Sequence, residues 1–371
     1  MRYPNVSIVF IIAFLMGWIS ELRAQDYKIG VYYFPGWAST SSYWNDLRGA
    51  VGSRSPGVSW TDREPLRGFG YSEESRNIAE QNIEWASSHG ISFFAYDWYW
   101  DGTKPLYNHA ITNHKLAQNK EKLKYCVMWA NHMSSPQTLD EFERMITHWI
   151  DNYFTDSQYF KIKNMPVVII FSPQQLRDKS KNLNKTTADL LGYARSLALK
   201  RGINGIYFIA TTYAHPYWVV DYLPSSGYDA LTAYNYQSKG FNGAYSGEED
   251  YSTSYQELLA GYKSQWKWII ENSTLPYIVP MSAGWDRRPW GGSKVAKHDN
   301  SGSNPLSFKD MLLAGKDIMD KYPKNTLRMG IIYAWNEFGE GAYIEPTKRW
   351  GFKYLEAIND VFGNTNKIGG N

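Results

Sequence analysis

The feature that most constrains this chain is a pattern repeated eight times: a short apolar run rich in β-branched and aromatic residues, then a longer stretch with helical spacing. The runs are Ile29–Phe34, Ile91–Tyr96, Lys124–Ala130, Val167–Phe171, Ile206–Thr211, Ala230–Tyr234, Tyr277–Met281 and Gly330–Trp335. Helical spacing occupies Glu73–Ser88, Tyr107–Gln118, Leu139–Asn152, Thr186–Lys200, Tyr217–Leu223, Ser254–Glu271, Ser307–Lys321 and Phe352–Phe362, the fifth of these being short. Strand then helix, eight times over, predicts an α/β fold: a single (β/α)8 TIM barrel with long βα loops. Val167-Val168-Ile169-Ile170 is apolar on both faces, as a strand must be when helices cover its outside and packed side chains fill its inside. Gly90 and Gly202 stand between a helical stretch and the next strand, where a left-handed cap is wanted. An open doubly wound sheet would place a glycine-rich phosphate loop after its first strand, and Phe34-Pro35-Gly36-Trp37 cannot serve as one.

The 371 residues fit one barrel with insertions. The segments Ala38–Tyr71 and Gln237–Thr253 follow strands one and six and read as long loops at the barrel mouth. A net charge of +3, without any Lys/Arg block, lacks the footprint of a nucleic-acid binder. Arg2, the apolar stretch Val6–Ile19 and Leu22-Arg23-Ala24 read as a cleaved signal peptide over residues 1–24, leaving 25–371 as the catalytic domain. The apolar stretch is shorter than the roughly 20 residues of a spanning helix, so no stable membrane insertion is expected after cleavage. A secreted or periplasmic protein, and a monomer, is the expectation. Cys126 stands alone, which rules out an intramolecular disulfide, and its apolar surroundings predict a packing residue.

In such a barrel the chemistry lies at the C-terminal ends of the strands. There the chain is rich in aromatic and acidic residues, and its 16 Trp and 29 Tyr suit clefts that stack sugar rings while bonding their hydroxyls. Glu337 and Glu340 are the candidate catalytic pair. Two carboxylic acids at one mouth can be driven to different pKa values, one protonated and one ionised, which is the equipment for cleaving a glycosidic bond. Gly339 and Gly341 bracket Glu340 and let the backbone turn sharply there. The candidate substrate-binding residues are Tyr33, Trp37, Asp97, Trp98, Trp100, Asp101, Asn131, His132, Tyr213, Tyr234, Tyr236, Trp285, Asp286, Arg287 and Asn336. Asp97, Asp101 and Asp286 could equally cap helices or pair with Arg287 or Arg288. No His-Glu-x-x-His, cysteine pair, calcium loop, nucleophile elbow or phosphate loop is present, so no metal and no cofactor is expected.

The segment Ala334-Trp335-Asn336-Glu337-Phe338-Gly339-Glu340-Gly341-Ala342-Tyr343-Ile344-Glu345-Pro346 resembles the Trp-Asn-Glu-x-x-Glu-Gly...Glu-Pro signature of WbsX-like proteins and of family 99 glycoside hydrolases, the endo-α-mannosidases. Tyr33-Phe34-Pro35, Phe93 to Gly102, Tyr125 to Asn131 and Gly284-Trp285-Asp286 are similar to that group's first, second, third and seventh strands. The resemblance implies a retaining mechanism in which the sugar's own 2-hydroxyl attacks the anomeric carbon. It implies Glu337 as the base for that hydroxyl and Glu340 as the general acid, then the base for water. The chain departs from the WbsX type after Asn131, where His132-Met133-Ser134 replaces the frequent Glu-Asn-Trp. The expected function is a secreted glycoside hydrolase acting on an α-linked, mannan-like oligo- or polysaccharide. A WbsX-type glycosyltransferase and a non-catalytic glycan-binding barrel are the alternatives.

Overall fold

The eight apolar runs form eight parallel strands. The computed structural model describes residues 27–133, 136–243 and 250–363. The segment read as a signal peptide lies outside the described residues. The strands are β1 (Lys28–Tyr33), β2 (Phe93–Trp100), β3 (Lys124–Trp129), β4 (Met165–Ile170), β5 (Tyr207–Thr211), β6 (Ala230–Thr232), β7 (Val279–Ser282) and β8 (Met329–Tyr333). They are hydrogen-bonded in the order β6-β5-β4-β3-β2-β1-β8-β7. A parallel bridge between Leu231 and Tyr277 closes the ring from β6 to β7. There the Leu231 amide donates to the Pro276 carbonyl, and the Ile278 amide donates to the Leu231 carbonyl, each at 2.8 Å.

Helices cover the outside: α1 (Tyr43–Arg48), α2 (Arg76–Ser88), α3 (His109–Leu116), α4 (Leu139–Trp149), α5 (Pro173–Asn182), α6 (Thr187–Lys200), α7 (Tyr255–Asn272), α8 (Pro305–Lys321) and α9 (Lys353–Phe362). Local chemistry starts several of them. Thr186 and Asp189 form a reciprocal capping box ahead of α6, and Asn304 caps α8, which opens on Pro305. Leu258, Ile269, Met311 and Leu312 are fully buried on the faces that α7 and α8 turn to the sheet. Burial of such side chains contributes roughly 1.5–3 kcal/mol each. Gly90 and Gly202 take φ of 85° and 76°, the left-handed turns their positions called for.

Where the elements differ from expectation, local pairing is the reason. β2 runs on to Trp100 because Tyr99 and Trp100 pair antiparallel with Leu106 and Pro105. Asp97 and Trp98 therefore lie within the strand. The helix expected from Glu73 starts at Arg76, and Glu73 instead turns inward to bond Asn336. The short fifth helix is a π-helical turn, Tyr217–Tyr222, running into Leu223–Ser225. Helix α5 carries mostly polar residues and gave no apolar period to find. Its start is set by Ser172, which accepts from the Gln175 amide, and by Pro173 in the first turn.

Alternation along each strand decides which side chains reach the mouth. On β2, Tyr96 meets His114 of α3 and Trp98 meets Trp149 of α4, so these two face the helices. Asp97 has the opposite parity and faces the barrel interior, where Tyr234 meets it. Tyr33 of β1 likewise faces outward, accepting a hydrogen bond from Asn82 of α2, while Tyr32 packs on Tyr234.

Candidate active site

After β8 the chain makes a small hairpin in which Asn336 and Glu337 pair with Tyr343 and Ala342 around the tight turn Phe338–Glu340. Two glycines make this turn possible. A Cβ on Gly339 would lie 2.0 Å from the Trp290 ring, and Gly341 sits at φ 70° with its would-be Cβ 2.8 Å from the Asp286 amide nitrogen. The hairpin is then fastened on three sides. Asn336 is fully buried; its side chain accepts from the Phe34 amide and donates to the Phe34 carbonyl and to Glu73. Buried Arg63 donates to the carbonyls of Asp286 and Phe338, at 2.8 and 2.9 Å, and pairs with the Asp286 carboxylate. The Asp286 amide donates to the Glu340 carbonyl at 2.7 Å.

This frame holds Glu337 and Glu340 beside Asp97. The Tyr234 hydroxyl lies 2.8 Å from Asp97 Oδ2 and 2.9 Å from Glu337 Oε1. Tyr333, the last residue of β8, donates to Glu340 Oε2, and its ring lies 4.7 Å from that of Tyr234. Asp97 Oδ1 and Glu337 Oε2 are buried and have no hydrogen-bond partner among the described residues. Burial pushes the Glu337 carboxyl well above the usual carboxylate range, the charges of Glu340 and Asp97 push it further, and the Tyr234 bond pulls it back. Burial likewise drives Asp97 well up, opposed by the Tyr234 bond and aided by Glu340. Glu340 keeps some solvent exposure. Desolvation is still the largest influence on it and raises its pKa, while the Tyr333 bond and the Arg287 charge lower it. The two glutamates thus sit in different surroundings: Arg287 bears on Glu340, and among the described residues no cation bears on Glu337. Such a set can hold and exchange protons.

The remaining candidates divide by what they touch. Tyr213 and Tyr236 line a cavity of about 190 Å3 at the ends of β5 and β6, together with Asn235, whose side chain reaches the Tyr333 hydroxyl. His132 is exposed with its ring 4.4 Å from Phe171, which in turn packs on Tyr234. Arg287 is half-buried beside Glu340. The others serve the frame. Trp37 is fully buried against Trp44 and Phe338 and donates to the Asn336 carbonyl. Asn131 is buried and bonds both backbone groups of Ser172. Trp285 donates to Ser293 and stacks on His298, and Asp286 pairs with Arg63 and Arg288. Trp98 and Trp100 stack on each other on the α4 side, where Trp100 lines a surface groove of about 620 Å3. Asp101 is exposed and closes a turn through the amides of Thr103 and Lys104. Among the described residues no group of three or more His, Cys, Asp or Glu is placed to hold a metal ion, and no helix is long and apolar enough to cross a membrane.

Residues 61–358 match the family described as glycosyltransferase WbsX, and that span takes in the whole hairpin and every strand from β2 onward. The chain belongs to the WbsX family. Two curated proteins, both named uncharacterized protein WxcX and from two strains of Xanthomonas campestris pv. campestris, are 22% identical to it over 319 residues. The match covers 78% of this chain and 42% of theirs, so the chain spans about two fifths of the length of the curated relatives it matches. The WbsX barrel also superposes on solved structures. A GH99 endo-alpha-mannosidase from Bacteroides thetaiotaomicron matches with a TM-score of 0.62 at 16% identity, covering 90% of this chain and 95% of that one. A glycoside hydrolase-like protein matches with a TM-score of 0.63 at 15% identity, covering 92% and 95%. At these identities the likeness is one of fold.

Three residues of this WbsX barrel escaped the sequence reading. Tyr333 sits inside an apolar strand, and only its position as the last inward residue of β8 marks it as a mouth residue. Arg63 and Glu73 lie in or beside a loop that gave no period, and no local signal distinguishes them from solvated charges.

Proposed function

We propose that this chain is a glycan-cleaving enzyme of the WbsX family whose Glu337 and Glu340 hydrolyse an α-linked, mannan-like saccharide with retention. The observation that carries this reading is the pair itself: two enclosed carboxyls on one rigid turn at a barrel mouth. In the first step Glu337 takes the proton of the sugar's 2-hydroxyl as that oxygen attacks the anomeric carbon, and Glu340 gives its proton to the departing glycosidic oxygen. In the second step Glu340 takes a proton from water, which opens the 1,2-anhydro ring, and Glu337 returns its proton to the 2-oxygen. A hydroxyl held by the ring is already in attack position, so proton removal is the main contribution asked of the protein. The segment 1–24 supports export and hence a substrate outside the cytoplasm.

Purified protein incubated with α-mannans and other polysaccharides is expected to release reducing ends, and Glu340→Gln to lower the rate by about 10^2- to 10^4-fold. Undiminished release by that variant would refute the assignment. The family's description favours one other reading, a sugar transferase. It requires an activated donor, so specific binding of a sugar nucleotide in calorimetry, with no reducing ends released, would replace hydrolysis with transfer.

A further inference from the structure

The hydrogen bonds at the mouth fix a proton count. Tyr234 stands between two carboxyl groups, 2.8 Å from Asp97 Oδ2 and 2.9 Å from Glu337 Oε1. A phenol has one proton to donate, and burial with nearby acids keeps Tyr234 in its neutral form. It can therefore donate to one of these oxygens only. Were both acids ionised, the second contact would set the phenol's lone pair against a carboxylate lone pair. The groups that bear on Asp97 offer no relief. Tyr32 of β1 and Tyr99 of β2 face it, Tyr234 reaches it from beyond β6, Glu337 and Glu340 come from the hairpin, and β3 sets Met128 beside it. Arg287 acts on Glu340, and among the described residues no cation acts on Asp97 or Glu337. One added proton removes the conflict: one acid donates to the Tyr234 oxygen and Tyr234 donates to the other.

We propose that Asp97 and Glu337 share a single proton through Tyr234, and that a substrate hydroxyl reaching Glu337 Oε2 moves this proton onto Asp97, leaving Glu337 as the base. The inference rests on the hydrolytic reading for the role of Glu337, and on geometry alone for the shared proton. The shift is a concerted passage of two protons: Glu337 Oε1 gives its proton to the Tyr234 oxygen while Tyr234 gives its own to Asp97 Oδ2. The total charge of the three groups is unchanged, the negative charge passing from Asp97 to Glu337, and no co-reactant is needed. Glu337 Oε2, which has no hydrogen-bond partner among the described residues, is the oxygen this proposal assigns to the sugar hydroxyl. A hydrogen bond donated to it favours the ionised form of Glu337, so the same contact that presents the proton to be removed also readies the group that removes it. Asp97, acting on Glu337 through Tyr234, is a positioning residue.

The test compares two amide variants. Asn at position 97 can donate to the Tyr234 oxygen as a protonated Asp97 does, so Asp97→Asn is expected to keep kcat within about tenfold while the acidic limb of kcat/KM moves to lower pH, because Glu337 has lost a like-charged neighbour. Glu337→Gln is expected to lose about 10^2- to 10^4-fold. Asp97→Ala, which leaves the Tyr234 oxygen without a donor, should be slow, with Asp97→Asn restoring the rate. An Asp97→Asn protein that melts like the wild type yet is as inactive as Glu337→Gln overturns the proposal, as does an unmoved pH profile. A second measurement needs no substrate. Infrared difference spectra at neutral pH should show one protonated-carboxyl stretch that the wild type has and each of the two amide variants lacks, over the stretches of Glu340 and Glu345, which all three proteins share. Its absence from the wild type, or persistence in both variants, defeats the shared proton. If it behaves as expected while no glycan is cleaved, the proton inference stands and the hydrolytic reading falls.

Discussion

Two sets of buried acids surround the hairpin after β8, and they are treated in opposite ways. Asp286 and Glu345 are satisfied on both oxygens. Arg63 and Arg288 hold Asp286, and Arg67 at 2.8 Å with the Tyr71 hydroxyl at 2.8 Å holds Glu345. Asp97 and Glu337 are just as buried but share one tyrosine, and among the described residues they keep one bare oxygen each and have no cation. Acids that brace a frame are paired, because an unpaired buried charge is costly. Acids left short of partners are placed to share protons with one another and with a bound ligand.

The difference can be broken at its strongest point. Arg63→Ala strips the buried cation from Asp286 and from two carbonyls of the hairpin, and should destabilise the fold by about 3–5 kcal/mol in denaturant titration. A variant as stable as the wild type would mean that the braced set is no better braced than the other.

A subtler effect lies in pH. Even with Arg67 beside it, burial lifts the Glu345 carboxyl to about 7 from an ordinary value of 4.5. Because the folded pKa is raised, the stability linked to this proton is fully present below about pH 4.5 and lost as pH climbs through 7. At about 1.4 kcal/mol per unit the loss is about 3 kcal/mol. Melting curves from pH 4 to 8 should fall for the wild type and flatten by that amount in Glu345→Gln. Equal slopes in the two proteins would show that Glu345 stays ionised throughout and that Arg67 compensates it fully.

The smallest effect is expected at Asp101, whose carboxylate is solvated and held below its usual range by the Lys104 and Thr103 amides. Asp101→Asn should change neither the melting temperature nor KM. A raised KM would return this residue to the substrate path.

These contrasts also explain what could be read from the chain itself. The eight strands were legible because buried parallel strands must be apolar on both faces, a signal that Val167–Ile170 carries without help. Helix α5 was not, since its polar sequence is set by a cap and not by a period. Among site residues, Glu337, Glu340 and Tyr234 stood out by type and place. Trp98 and Tyr33 were put with them for the same reason, but one step of strand alternation turns both toward the helices. That rule of parity was available from the sequence, and applied to β8 it would also have brought in Tyr333. The partners Arg63 and Glu73 were not legible, because their roles come from contacts hundreds of residues away along the chain.

The ring of strands has a clasp. Between β6, only three residues long, and β7, the ladder reduces to the Leu231–Tyr277 rung, reinforced by the 2.6 Å contact between the Tyr236 and Tyr277 hydroxyls. Tyr234 hangs three residues beyond that rung. A hoop loosens first at its fastening, so amides at Leu231 and Ile278 should exchange with solvent ahead of those in the long β2–β3 ladder, and whatever slackens the clasp will disturb Tyr234 before it disturbs the acids on either side.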